Sequence, residues 1–183
     1  MRPTKFEGRL WVLLDNEGRL IEDIDTDQIY HNAFLTMTDI AQMGQYALGN
    51  LEGWTDFAAK AKAGDVVAAG RNFGAGSSRQ QAVDCFLALG VSLILAPSFA
   101  AIYYRNAVNS GFPVLTCEGL EGLIKEGRLA SGDIVSLEAT TGQARNLSRK
   151  VDFRVGAMGR VEQDIFQAGS LFAYGKTLGG KKG

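Results

Sequence analysis

Residues 64–116 constrain the fold more than any other part of the chain. G-D-V-V-A-A-G (64–70), V-S-L-I-L-A (91–96) and F-P-V-L-T (112–116) are short apolar runs bounded by glycine or proline. Such runs fit strands buried on both faces. Between them lie S-S-R-Q-Q-A-V-D-C-F-L-A-L-G (77–90) and P-S-F-A-A-I-Y-Y-R-N-A-V-N-S-G (97–111), each of helical length and each closed by glycine. Ser98 is the expected cap of the second helix. Strand–helix–strand–helix–strand with short connections implies parallel pairing and right-handed crossovers. The fold class is therefore α/β, a mixed sheet around a βαβαβ core.

The flanks complete this reading. G-R-L-W-V-L-L (8–14) is a first strand, ended by the turn D-N-E-G. The acidic stretch I-E-D-I-D-T-D-Q-I-Y-H-N (21–32) reads as partly irregular. Short helices are expected over 38–49, with Asp39 as cap and Gly49 past the end, over 54–62 with Thr55 as cap, and over 118–129. D-I-V-S-L-E-A (133–139) and K-V-D-F-R-V (150–155) read as an antiparallel pair around a polar turn. Residues 161–169 read as a terminal helix. Nothing marks a linker or repeat, so 1–183 is read as one domain with a flexible tail from about 176, carrying Lys176, Lys181 and Lys182.

Composition narrows the function. The 183 residues include 19 basic and 20 acidic side chains, for a net charge of −1. That balance supplies no electrostatic drive toward nucleic acid or an anionic membrane. Two cysteines, Cys85 and Cys117, stand far apart with no C-x-x-C pair. A disulfide framework and a metal site built by this chain alone are both disfavoured. His31 is the only imidazole, which leaves little room for a Ser-His-Asp triad. No apolar stretch has the length of a membrane span, and M-R-P-T-K-F-E-G has no signal-peptide core, so a cytoplasmic setting is expected.

The stretch F-G-A-G-S-S-R-Q-Q (73–81) carries the chemistry. It lacks the G-K-[ST] of a Walker loop, and Arg79 occupies the third glycine position of a dinucleotide fingerprint. Two readings stay open. Ser77 with Gln80, or Ser78 with Gln81, fits a capping box and nothing more. Alternatively the stretch is a carboxylate site: helix-end N–H groups, two hydroxyls and a bidentate arginine lie within a few residues. A serine alkoxide there could take a proton from carbon if a second component stabilised it.

Three ordered motifs carry a resemblance: D-I-D-T-D-Q-I (23–29), F-G-A-G-S-S-R-Q-Q-A (73–82) and Y-R-N-A-V-N-S-G-F-P-V-L (104–115). Together they resemble the small subunits of 3-isopropylmalate dehydratases, the separate-chain form of the aconitase family's swivelling β/β/α domain. The resemblance implies a partner large subunit bearing a [4Fe–4S] cluster, with no metal held by this chain. It implies a hydro-lyase that moves a hydroxyl between adjacent carbons of a small dicarboxylate. By position, Ser77 matches the proton-abstracting serine. Ser78 and Arg79 match residues that hold substrate and stabilise the alkoxide, and Asp27 matches an acidic residue of the site. A calcium loop at D-I-D-T-D is disfavoured because the loop glycine is absent.

In such proteins the loop aligned with F-L-T-M-T (34–38) meets the variable end of the substrate. Here Leu35, Thr36 and Met37 stand in a stretch with no Lys or Arg from 20 to 59. An alkyl end suits that better than a third carboxylate; the competing reading makes Leu35 and Met37 core. The chain also departs from the common G-C-G-S-S-R-E-H loop, with Ala75, Gln80 and Gln81 instead. Isopropylmalate is the leading substrate. Methylmalate, dimethylmalate or homocitrate is the rival within enzymes, and a non-catalytic anion-binding or regulatory module is the rival outside them. Arg105 and Asn106 are assigned a helix-end or interface role, Tyr103 and Tyr104 packing, Cys85 burial, and His31 a surface hydrogen bond.

Overall fold

Strands β1 (Lys5–Val12), β2 (Val66–Ala68), β3 (Leu93–Ala96) and β4 (Val114–Thr116) run parallel in the order β4-β3-β2-β1. Every residue of β2 and β3 is buried, as unbroken apolar runs in a parallel sheet require. This computed structural model describes residues 1–179. The crossover helices are α4 (Gln81–Leu89) and α5 (Ala101–Asn109). Gly90 closes α4 in the left-handed conformation at φ 75°. The βαβαβ core thus stands as expected.

On its other edge β1 pairs antiparallel with β5 (Ile134–Glu138), extending the sheet to β4-β3-β2-β1-β5-β6-β7. The expected direct pairing of 133–139 with 150–155 does not occur. A further strand, β6 (Gln143–Asn146), lies between β5 and β7 (Val151–Arg154). Its sequence Q-A-R-N hides the alternation, because its inward residues are Ala144 and a buried Asn146. Asn146 is satisfied there, donating to Asp133 Oδ2 at 2.7 Å and to the Arg128 carbonyl at 2.9 Å.

Two apolar cores cover the two faces. One gathers Tyr30, Phe57, Phe73, Phe86, Tyr103 and Phe112 under α4 and α5. The other packs Leu10, Leu93, Leu95, Val135 and Phe153 against α6 (Leu120–Lys125). Three short elements fill the stretch between β1 and β2: α1 (Thr26–Ile29), α2 (Ile40–Met43) and α3 (Phe57–Lys60). Asp39 caps α2 as expected, accepting from Ala41 N, but the helix lasts one turn before a 3-10 turn at Gly44–Tyr46. Asp56, not Thr55, stands at the cap of α3.

At the end of the chain α7 (Arg160–Ala168) matches the expected terminal helix, and α8 (Leu171–Gly179) follows it directly. The tail expected from about 176 therefore begins inside a helix. Lys181 and Lys182 lie outside the described residues.

Candidate active site

The segment 71–80 runs from β2 to α4 and is zipped to the D-I-D-T-D-Q segment by backbone hydrogen bonds. Gly74 N donates to the Ile24 carbonyl at 2.8 Å and Thr26 N to the Ala75 carbonyl at 2.9 Å, closing a parallel bridge between Asp25 and Ala75. Thr26 Oγ1 adds a bond to the Ser77 carbonyl at 2.9 Å. Gly74 adopts φ 81°, and a Cβ there would sit 2.2 Å from Tyr103 Cγ, so only glycine lets the loop lie on that buried ring.

With this zipper in place, the serines do not serve as the cap of α4. The α4 cap residue is Gln80, without a side-chain cap bond, so neither expected capping box forms. The box sits instead in the acidic motif. Asp25 accepts from Gln28 N at 2.8 Å and Gln28 Oε1 accepts from Asp25 N at 2.9 Å, starting α1 within the segment expected to be partly irregular. Ser98 does not cap α5 either; its hydroxyl accepts from Asn72 N at 2.9 Å.

Arg79 and Asp27 meet across the zipper. Arg79 Nη1 donates to Asp27 Oδ1 at 2.9 Å and to the Tyr30 carbonyl at 2.6 Å, and only 11% of the arginine side chain is exposed. Asp27 also accepts from Asn32 N at 2.9 Å and from Asn50 Nδ2 at 3.1 Å. The Arg79 hydrogen bond leads the causes that hold the Asp27 carboxyl below its ordinary 3.8. Asp27 is thus a carboxylate near neutral pH: it can anchor Arg79 but not deliver a proton.

Ser77 and Ser78 are exposed beside this clamp. Ser78 Oγ accepts from Asn106 Nδ2 at 3.1 Å. The Ser77 hydroxyl has no hydrogen-bond partner among the described residues, although its carbonyl is held by Thr26. Gln80 Nε2 bridges Asp84 Oδ1 at 2.9 Å and Ser110 Oγ at 2.7 Å. Burial raises the Asp84 carboxyl pKa and the Gln80 hydrogen bond opposes that rise, so a neutral amide at 80 suits its neighbour.

The expected specificity segment lies on the same side. Its 3-10 turn (Asn32–Phe34) is capped by His31 Nδ1, which accepts from Ala33 N at 3.1 Å. Leu35 and Thr36 are exposed and Met37 is half-buried against the core, so the core reading holds for Met37 and fails for Leu35. Phe34, stacked on Tyr46 with ring centres 4.0 Å apart, continues an apolar edge with Leu35 and Ile40. The Leu35 carbonyl lies 3.5 Å from Gln81 Nε2, at the start of α4. Sequence reasoning placed neither Asn50 nor Asn106 at the site: Asn50 sits in an unremarkable turn, and Asn106, expected in a helix-end or interface role, instead donates to Ser78.

The site is an open face. Two surface hollows of about 650 and 520 Å³ lie on β5–β7 and beside α6, and neither includes a residue of 23–37 or 73–82. Among the described residues, no three His, Cys, Asp or Glu side chains are grouped to hold a metal ion. Cys85 and Cys117 are buried and unpaired; burial pushes the Cys117 thiol up to about 11 and the Cys85 thiol higher still. Both lie within the two apolar cores, Cys85 in one and Cys117 in the other.

A zipped serine loop on a mixed α/β sheet, open on one side, defines a class. Residues 50–118 match the family model described as the aconitase C-terminal domain. The particular family follows from relatives spanning nearly the whole chain. The 3-isopropylmalate dehydratase small subunit of Caldicellulosiruptor saccharolyticus is 37% identical over 93% of this chain and 91% of its own length. That of Aquifex aeolicus is 34% identical over 94% and 95%. The isopropylmalate/citramalate isomerase small subunit of Methanocaldococcus jannaschii is 32% identical over 92% of each. The crystal structure of the 3-isopropylmalate dehydratase protein of that organism superposes with a TM-score of 0.83 at 30% identity, covering 98% of this chain and 99% of that one. This chain belongs to the family of 3-isopropylmalate dehydratase small subunits.

Proposed function

We propose that this chain, docked on a large subunit, interconverts 2-isopropylmalate and 3-isopropylmalate by removing and re-adding water, and so serves leucine biosynthesis. One observation carries the assignment of roles. The Ser77 carbonyl, the Ser78 hydroxyl and the Arg79 guanidinium are each held by hydrogen bonds, while the Ser77 hydroxyl is exposed and uncommitted. A group held in place but left unbonded is what a base acting on an incoming substrate needs.

In this reading Ser77, as the alkoxide, takes the proton from the carbon next to a carboxylate. The C–H electron pair becomes the new C=C bond, and the hydroxyl leaves from the adjacent carbon. Ser78 donates to the alkoxide or to substrate. Arg79, with Nη1 committed to Asp27 and Tyr30, offers its remaining N–H groups to a carboxylate while Asp27 fixes its plane. A serine in open water is far too weak an acid to form that alkoxide, so the chain needs a partner to exclude water and supply the leaving-group electrophile. Among the described residues no group of His, Cys, Asp or Glu is gathered to hold a metal ion. The [4Fe–4S] cluster that the family resemblance implies, a Lewis acid for the departing hydroxyl, would be held by the large subunit. The free thiols of Cys85 and Cys117 suit a reducing cytoplasm.

Leu35 and Thr36 would meet the variable end of the substrate. The name of the M. jannaschii relative favours a second reading, in which the same edge also serves the shorter alkyl group of citramalate. Both are tested by rates on isopropylmalate, citramalate and homocitrate for the assembled wild type and its Thr36→Arg variant. Wild type should prefer an alkyl end. Thr36→Arg should move the preference at least about tenfold toward the substrate with an additional carboxylate. An unchanged ratio removes Leu35 and Thr36 from specificity.

A further inference from the structure

We propose that Asn106 is a positioning residue that sets the direction of the Ser78 hydroxyl; the proposal rests on the hydro-lyase reading above and extends it. Asn106 lies on α5, three residues after Tyr103 and on the same helix face. That face is anchored: Tyr103 is buried against Gly74, and its hydroxyl donates to the Ala82 carbonyl at 3.1 Å. Ala107 is fully buried beside it. The Asn106 amide is thus presented from a rigid element to a loop held rigidly on its other side by Thr26.

The polarity of the contact matters more than its length. Asn106 Nδ2 is a donor only, so Ser78 Oγ must accept in the 3.1 Å bond. The Ser78 proton is then excluded from the α5 side and remains for a group on the open face. Accepting one hydrogen bond also makes a hydroxyl a stronger donor. Asn106 therefore keeps Ser78 poised to donate to the Ser77 alkoxide. Without it the Ser78 hydroxyl rotates freely and can turn a lone pair toward that negative charge. A helix-end role leaves this bond unexplained, because three residues of α5 follow Asn106.

The test uses the two-subunit enzyme with isopropylmalate. Asn106→Ala should lower kcat about 10- to 100-fold with KM little changed, less than loss of a direct oxyanion donor. The limb of the pH–rate profile that rises as the base ionises should move to higher pH. Asn106→Asp, which keeps the shape but accepts the Ser78 proton, should lose more than Asn106→Ala. Combined with Ser78→Ala, Asn106→Ala should add no further loss, since the two act as one unit. A normal pH profile in Asn106→Ala, or losses that multiply in the double variant, would overturn the role of Asn106 while leaving the function intact. A wild-type pair with no turnover would instead overturn both together.

Discussion

Ser77→Ala in the assembled enzyme loses about 10²- to 10⁴-fold in kcat, the range for removal of a positioned base, with KM close to wild type. The folded state barely changes. The Ser77 carbonyl, not its hydroxyl, receives the bond from Thr26, and the cap of α4 does not use the serine. Thermal unfolding should therefore coincide with wild type within the error of the measurement. The combination is diagnostic, because a serine serving only as a helix cap would show the reverse: about 1 kcal/mol of stability lost and turnover retained. A variant with near-normal turnover removes the base from this chain and favours the reading of a non-catalytic anion-binding module.

Arg79→Ala damages both activity and stability. It leaves Asp27 without its cation and the Tyr30 carbonyl without its donor at a half-buried joint. Loss of one partner from such a charged hydrogen bond costs about 1–3 kcal/mol. Turnover should fall about 10²- to 10³-fold, since the carboxylate contact and the placement of Ser77 relative to 23–29 fail together. Arg79→Lys should recover stability better than activity. An ammonium can meet Asp27, but it lacks the planar fork that binds Asp27 and Tyr30 while offering further N–H groups to a substrate.

The pH dependence has a definite sign. The folded-state pKa of Asp27 is depressed, so its contribution is present above the ordinary carboxylate value of 3.8 and is lost as pH falls through the lower folded value. In Arg79→Ala the Asp27 pKa returns toward the ordinary value and this part of the acid dependence shrinks. Unfolding temperatures of wild type and variant should converge as pH falls below about 4. Parallel curves across that window would show that the ion pair does not stabilise the fold.

The βαβαβ core was legible because β2 and β3 are unbroken apolar runs and glycines end both helices. β6 was not legible, since one of its two inward residues is Asn146 and its partners Asp133 and Arg128 lie elsewhere in the chain. α8 was hidden by its own glycines and by its polar end. At the site, sequence supplied the residues but not their division of labour. Ser-Ser-Arg-Gln-Gln fits a capping box on spacing alone. The chain does otherwise because backbone bonds to Ile24 and Thr26 hold Gly74 and Ala75 in the zipper and the Thr26 hydroxyl holds the Ser77 carbonyl, so α4 begins only at Gln81. The D-T-D-Q box is equally local, yet its acidic character masked the helix start. Asn50 and Asn106 reach the site only through tertiary packing, which spacing along one strand or helix does not encode.

The central claim is that this chain supplies the base to a two-component dehydratase. The most direct test is anaerobic turnover of isopropylmalate by this chain mixed with its cluster-bearing large subunit, with each component also assayed alone. The predicted result is formation of the unsaturated diacid and of the isomeric isopropylmalate in the mixture only. Turnover by either component alone, or none in a mixture whose cluster is verified intact, would contradict it.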